Sequence, residues 1–325
     1  MMPTKFIDTI GGKLAEQWIA ALLTPAFCFW AGGITAWLLN NDASQLQQYL
    51  ESLEAPLQLA LLAAILLIIT TSAFAVQQIE SICLHFLEGY YWPQWVAPLG
   101  WLYRKLLKRQ ERRLQKLKVR WEVLSHQRHQ QTVADVDDTK YETIRELYLL
   151  EYQRRWIPSQ VEYLMPTVLG NILRAAERRP WHKYKLDSVV CWPCLWLLLP
   201  DNARKDVQEA RESLNSSVRL WIWSILFVLV WAWWTWWAIP IGVTTALFAH
   251  QRILSSARSY GNLLEATFDL YRINLYKALR WSLPKTSEEE KKQGEILTEY
   301  LWRGSIRNIT FQNDSPVIER NSRVE

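Results

Sequence analysis

Apolar positions along this chain fall into long unbroken blocks and shorter periodic stripes. Residues 18–39, 55–76 and 220–249 are three stretches without a single charged side chain. A hydrocarbon layer about 30 Å thick is crossed by about 20 helical residues, so each block predicts membrane-spanning helix. The 220–249 block is long enough to fold back on itself, with Pro240 suited to the first turn of a returning helix. The pattern therefore predicts an all-α integral membrane fold. Four transmembrane helices form two hairpins, about 18–39 with 55–76 and about 220–237 with 241–258, joined by a helical cytoplasmic region. The first block follows Lys5 and Lys13 but exceeds an ordinary signal-peptide core and lacks a clear cleavage site, so a retained anchor is expected.

Between the blocks the pattern changes from continuous to periodic. Residues 77–102 extend the second span and then become rich in aromatics, Pro and Gly, as expected of a segment lying at the inner interface. Over 103–124, Leu107, Leu114 and Trp121 recur every seven residues, with Leu117 and Leu124 at intervening positions and Gln110 interrupting the second stripe. That is a heptad-like seam, which also allows self-association through a helical bundle. Residues 131–140 read as a linker. A helix follows over about 139–156, with Ile144, Leu147 or Tyr148, and Glu151 or Tyr152 on one face. Pro166 and Thr167 open another helix in which Gly170 permits close packing. Asp187 is placed to cap the apolar run 188–200, too short to span, and 201–219 is a charged helix leading into the third span. After the fourth span, Leu264, Phe268, Tyr271, Leu275 and Leu279 make 257–281 amphipathic. Ser287 and Glu290 have capping-box spacing for a last helix over about 288–302. The expected domain plan is 1–76 as the first hairpin, 77–219 cytoplasmic, 220–258 as the second hairpin, and 259–325 cytoplasmic with a loose tail.

Charge sets the orientation. The loop 40–54 has three acids and no base, whereas residues 77–219 carry 23 Lys and Arg against 17 Asp and Glu. Because basic loops stay on the cytoplasmic side, the loop is expected outside and both termini inside an inner membrane. Tryptophan refines this. The chain has 20, five of them in WAWWTWW at 231–237. Indoles favour headgroup depth, so Trp221 and Trp223 are read as the inner belt, and Trp231, Trp233, Trp234, Trp236 and Trp237 as the outer belt. Sixteen helical steps from Trp221 to Trp237 would measure roughly 24 Å, nearly one bilayer. Tyr90, Tyr91, Trp92 and Trp95 are expected interfacial anchors on the inner side.

Candidate chemistry is sparse. Between Arg104 and Arg120 stand nine basic residues and one acid. Arg104, Lys105, Lys108, Arg109, Arg112, Arg113 and Lys116 are candidates for holding anionic lipid headgroups, with a plainly solvated stalk as the alternative. No nucleic-acid motif accompanies the charge, which disfavours that partner. Cys191 and Cys194 have redox spacing, yet nothing nearby reads as the strand and helix that such a motif needs. No third and fourth ligand suggests a metal. GxGxxG, GxxxxGK[ST], GxSxG and HExxH are all absent from the sequence. No cofactor is expected. Asn171, Arg174, Glu177 and Asp187 form the polar cluster that a membrane enzyme would use. The spans carry no acid or base away from their ends, which lowers the case for ion-coupled transport. Small residues in the first span allow close helix contact.

The segments LEGYYWP (87–93), PTVLGNILRAAERR (166–179), LDSVVCWPCLWLLLP (186–200), YGNLLEATFDLYR (260–272) and LTEYLWRG (297–304) together resemble a family of uncharacterised bacterial multi-span integral membrane proteins, from about residue 80 to 304. The resemblance implies a multi-span membrane protein with a cytoplasmic module, in which another residue commonly stands where this chain has Cys194. It implies no activity. The leading expectation is an oligomeric scaffold or small pore-like assembly with partner-binding cytoplasmic helices, more in keeping with a non-enzyme. The other is an enzyme acting on a lipid-linked substrate at the cytoplasmic interface.

Overall fold

A computed structural model describes residues 25–38, 52–90, 92, 96–130 and 138–304. The described residues form helices and no strand: α1 (Pro25–Leu38), α2 (Ala55–Glu88), α3 (Ala97–Gln130), α4 (Asp138–Arg154), a 3-10 turn (Val161–Tyr163), α5 (Val168–Tyr184), α6 (Ser188–Leu197), α7 (Asp201–Trp231), α8 (Ala238–Ala278) and α9 (Ser287–Arg303). Residues 40–51 of the expected loop, most of the linker 131–140 and the tail beyond Gly304 lie outside the described residues, as do Tyr91 and Trp95. The chain divides into two compact units. One comprises Met1–Ile172 with Glu209–Tyr260, the other Leu173–Gln208 with Gly261–Glu325. These units cut across the domain boundaries expected from membrane topology.

In the first unit, α1 is tied to α7 by aromatic packing. Phe29 meets Trp223 at 5.0 Å and Trp231 at 5.9 Å between ring centroids. A Cβ at Gly33 would overlap the Trp231 ring, so only glycine lets the indole lie there. Trp30 Nε1 donates to Ser72 Oγ at 3.1 Å, linking α1 to α2. Thr70 instead donates within its own helix, to Leu66 O. An ionic contact joins α2 to α7: Arg219, 5% exposed along its side chain, donates to Glu80 at 2.7 Å and also pairs with Glu212. Two charges buried together hold each other in place because separating them would leave one uncompensated.

The C-terminal end of α2 is clamped by a distant segment. Gly89 adopts φ 101° and its N–H returns to His85 O and Phe86 O, a left-handed helix stop that suits glycine. The carbonyl of Glu88 accepts from Thr167 Oγ1 at 2.9 Å. Thr167 also caps α5, accepting from Gly170 N at 3.0 Å. A side chain at Gly170 would collide with Glu88 O, so glycine is required at this crossing.

The seam on α3 is filled from within the chain. Leu114, Leu117 and Leu124 are buried against Leu147 and Leu150 of α4 and against Ile157 and Leu164 beyond it, with Leu107 and Trp121 at the margin. Of the face expected from spacing, Leu147 packs, joined by Leu150, whereas Ile144, Tyr148 and Tyr152 of α4 remain exposed. Gln110, the polar interruption, is buried too.

The second unit is built around Phe268, Leu275 and Tyr276 of α8, each fully buried with Leu186, Leu195 and Leu297. Burying side chains of this size stabilises by roughly 1.5–3 kcal/mol each. Leu264, Phe268 and Leu275 follow the amphipathic stripe read from the sequence, with Tyr271 and Leu279 packed at its edge. Asp187 caps α6 as expected, accepting from Val189 N at 2.9 Å. The cap of α9 lies one residue earlier than expected. Thr286 accepts from Glu289 N, and the Glu289 carboxylate accepts from Lys285 N.

Two described helices, α2 and α7, are long and apolar enough to cross a membrane. The expected turn after the third span moves. Helix α7 ends at Trp231, residues 232–237 form turns, and α8 starts at Ala238 with Pro240 in its first turn. Only ten helical steps separate Trp221 from Trp231, roughly 15 Å, so the 24 Å spacing to Trp237 does not hold as helix. The run 238–249 in α8 is interrupted by His250, Gln251 and Arg252, and α8 continues without a break through the predicted boundary between fourth span and amphipathic helix.

Candidate functional site

The basic stretch of α3 keeps its cations in solvent. Arg104, Lys105, Lys108, Arg109, Arg112, Arg113 and Lys116 are all exposed. The apolar seam is turned to α4, so the charge occupies the remaining circumference of the helix. Lys105 lies over the Trp101 ring at 4.5 Å. Farther along, Arg120 pairs with Glu146 at 2.7 Å and Lys118 donates to Ser159 O at 3.0 Å, so the end of the stretch is tied to the helical arm. Arg109, Arg112, Arg113 and Lys116 form no ion pair among the described residues. All four border one cavity of about 710 Å³, whose other walls are Leu106, Gln110, Leu117, Gln153 and residues 166–168.

The aromatic anchors separate into two groups. Trp233 is 86% exposed, and Trp234, Trp236 and Trp237 are also exposed. Trp236 and Trp237 stack at 4.0 Å. Trp223 and Trp231 are buried instead, packed on Phe29. Their placement departs from the expected lipid-facing belts because α1 occupies the face they present. Trp221 is half-buried. Tyr90 is exposed, and Trp92 donates its indole N–H to Phe86 O while stacking on Phe86 at 5.6 Å.

The four residues of the polar cluster are not held as one constellation. Asn171, in the first unit, is 1% exposed and committed to backbone. Its Oδ1 accepts from Met165 N, and its Nδ2 donates to Met165 O and Thr167 O, each at 2.9 Å. In the second unit, Arg174 pairs with Glu177 one helical turn away at 3.6 Å. Asp187 serves as the α6 cap and receives Arg178 at 3.9 Å.

A second polar assembly in that unit was not anticipated from the sequence. Glu265 pairs with Arg179 and Lys183, both at 2.7 Å, and Lys183 also reaches Asp269 at 2.9 Å. Tyr184 donates to Asp269 at 2.8 Å, while Arg272 lies over the Tyr184 ring at 4.0 Å and pairs with Glu290 at 2.7 Å. Burial alone would depress the Lys183 ammonium, but hydrogen bonds to Asp269 and Glu265 carry it above the usual lysine value. It stays charged at neutral pH and acts as a strut. The partners are about 86 positions apart, so only the recurrence of acids on α8 at 265 and 269 hinted at the pairing.

Cys191 is fully buried, and burial pushes its thiol up to about 12. A nucleophilic or redox-active cysteine needs its thiolate, so the CxxC spacing here does not assemble a reactive pair. Burial likewise raises Tyr276, whose hydroxyl finds no hydrogen-bond partner among the described residues. No group of three or more metal-binding side chains occurs among the described residues. No known protein family matches this chain, and no curated protein or solved structure is significantly similar to it.

Proposed function

We propose that this chain is a multi-pass bacterial inner-membrane protein that acts as an oligomeric scaffold, belonging with the uncharacterised membrane family that its motifs resemble. In this reading four spans form two hairpins and both termini are cytoplasmic. The basic arm lies against an anionic leaflet, and the cytoplasmic helices dock a protein partner. Copies associating through their spans enclose a small pore.

The observation that carries the reading is the surface of α2. Only 17% of its most apolar stretch is buried, and Leu57, Leu59, Leu62, Leu66 and Leu67 are all more than half exposed. A face that apolar is stable in lipid and costly in water. The scaffold reading is favoured over an enzyme because Asn171 and Asp187 are occupied with backbone hydrogen bonds.

The experiment is a pair of compartment-sensitive reporters fused to the C-terminus, combined with native mass spectrometry of the full chain in nanodiscs. Cytoplasmic signal and a defined multimer are expected. A periplasmic C-terminus overturns the four-span arrangement, and a monomer overturns the oligomeric scaffold. Silence in planar bilayers under voltage and tension removes the pore while leaving the scaffold.

A further inference from the structure

We propose that the cavity bordered by α3, Gln153 and residues 166–168 is a binding site for a phosphate ester that carries a free hydroxyl, as in a polyol phosphate. Four cations line it: Arg109, Arg112, Arg113 and Lys116. None has an acidic partner among the described residues, and no carboxylate lines the cavity. Cations on a solvated helix face normally point outward singly. Here they border one open-mouthed cleft whose opposite walls come from distant parts of the chain.

Gln110 makes the site more than a charged patch. It is 6% exposed, it lines the same cavity, and its Oε1 has no hydrogen-bond partner among the described residues. A buried amide oxygen left unmatched costs about 1–3 kcal/mol, so an occupant that supplies a donor is favoured there. An amide carbonyl accepts only. The occupant it completes therefore carries a donor beside the anionic group that the guanidinium forks bind, and among four cations a neutral O–H fits where a charged ammonium would be repelled. A phosphodiester or phosphomonoester of glycerol or a similar polyol has both features.

The walls are rigid. Leu114 and Leu117, on the same helix, are buried in the α3–α4 core. Residues 166–168 are pinned through Thr167 to Glu88 O at the end of α2. The site thus adjoins the end of a helix apolar enough to cross a membrane, and a lipid headgroup or a soluble phosphate ester would present the same chemistry. The site stands whatever the number of spans or copies, so its failure and that of the scaffold reading are separable.

The test uses the full chain and two probes. Nanodiscs of phosphatidylcholine with phosphatidylglycerol are analysed by native mass spectrometry for retained lipid. In phosphatidylcholine nanodiscs, glycerol 3-phosphate is titrated calorimetrically. Two double variants remove equal charge: Arg109→Gln with Arg113→Gln inside the cavity, and Arg104→Gln with Lys105→Gln outside it. Binding of at least one probe is expected, weakened tenfold or more by the cavity pair and less than threefold by the outer pair. Retention of phosphatidylglycerol alone assigns a lipid, and binding of glycerol 3-phosphate alone assigns a soluble ester. Gln110→Leu leaves the charge intact and is expected to lower affinity for the bound probe at least threefold. Equal losses from the two double variants reduce the site to diffuse attraction and overturn the proposal. So does failure of both probes to bind, or an unchanged affinity in Gln110→Leu.

Discussion

Helices α2 and α3 are both 34 residues long, lie in the same unit and are linked by a few residues, yet they answer to different solvents. Leucines point outward around α2, and Glu80 on it pairs with Arg219. In α3 leucines occupy one stripe, covered by α4, and cations fill the rest. Helix formation is the same in both, since the backbone hydrogen bonds are internal. What differs is where the side chains lower the free energy. For α2 an apolar surround is the favourable one, and burial by protein is almost dispensable. For α3 water is the favourable surround, and a protein partner for the stripe is essential.

This contrast can be broken at its strongest point first. Leu114→Asp places a carboxylate in the α3–α4 core. It is expected to cost more than about 4 kcal/mol, from lost packing together with an unsolvated charge. Urea unfolding followed by limited proteolysis of the 97–164 arm would show early cleavage, and an arm that resists as before would mean that the stripe is not covered.

Next is Arg219→Met, which leaves Glu80 buried without its base. Breaking such a pair costs about 3–5 kcal/mol, and adding Glu80→Met should recover most of the loss. Thermal unfolding of the three proteins in one detergent checks this, and a double variant no better than the single would refute pairing as the cause.

Leu62→Asp sharpens the contrast most directly. Leu62 is 58% exposed, so in water the change would alter stability by less than about 0.5 kcal/mol. At the centre of a membrane-crossing helix it costs about 2.5–3.5 kcal/mol. Loss from the membrane fraction of cells is expected, and undiminished membrane yield would place α2 in water.

At the small end, Arg104→Gln with Lys105→Gln should shift folding stability by no more than about 0.5 kcal/mol, because both side chains are exposed. A larger change by thermal unfolding would show that this face is covered in the assembled protein.

Much of this contrast is legible in the sequence alone. Seven-residue spacing marked the α3 stripe, and Asp187 was recognisable as a cap, because both features are local. What escaped was set by distance along the chain. Glu80 and Arg219 lie 139 positions apart, and neither looks unusual alone. Trp223 and Trp231 read as membrane anchors because a tryptophan that faces lipid and one that packs on Phe29 have the same neighbours in sequence. The turn after α7 was misplaced for a related reason: tryptophan count indicates depth only if every tryptophan faces lipid. The cavity on α3 was only half visible. Its cations stand out by charge, but Gln110 reads as an interruption in a stripe, and nothing local ties residues 166–168 to the helix.

The clamp on Glu88 also carries a schedule. Its donor, Thr167, is 79 positions downstream. At roughly 5–20 residues per second, on the order of 4–16 seconds of synthesis separate the end of α2 from the residue that fastens it. During that interval α2 has an unfastened end while the α3–α4 arm emerges and closes its own seam. The slow step in biogenesis would then be the arrival of the latch.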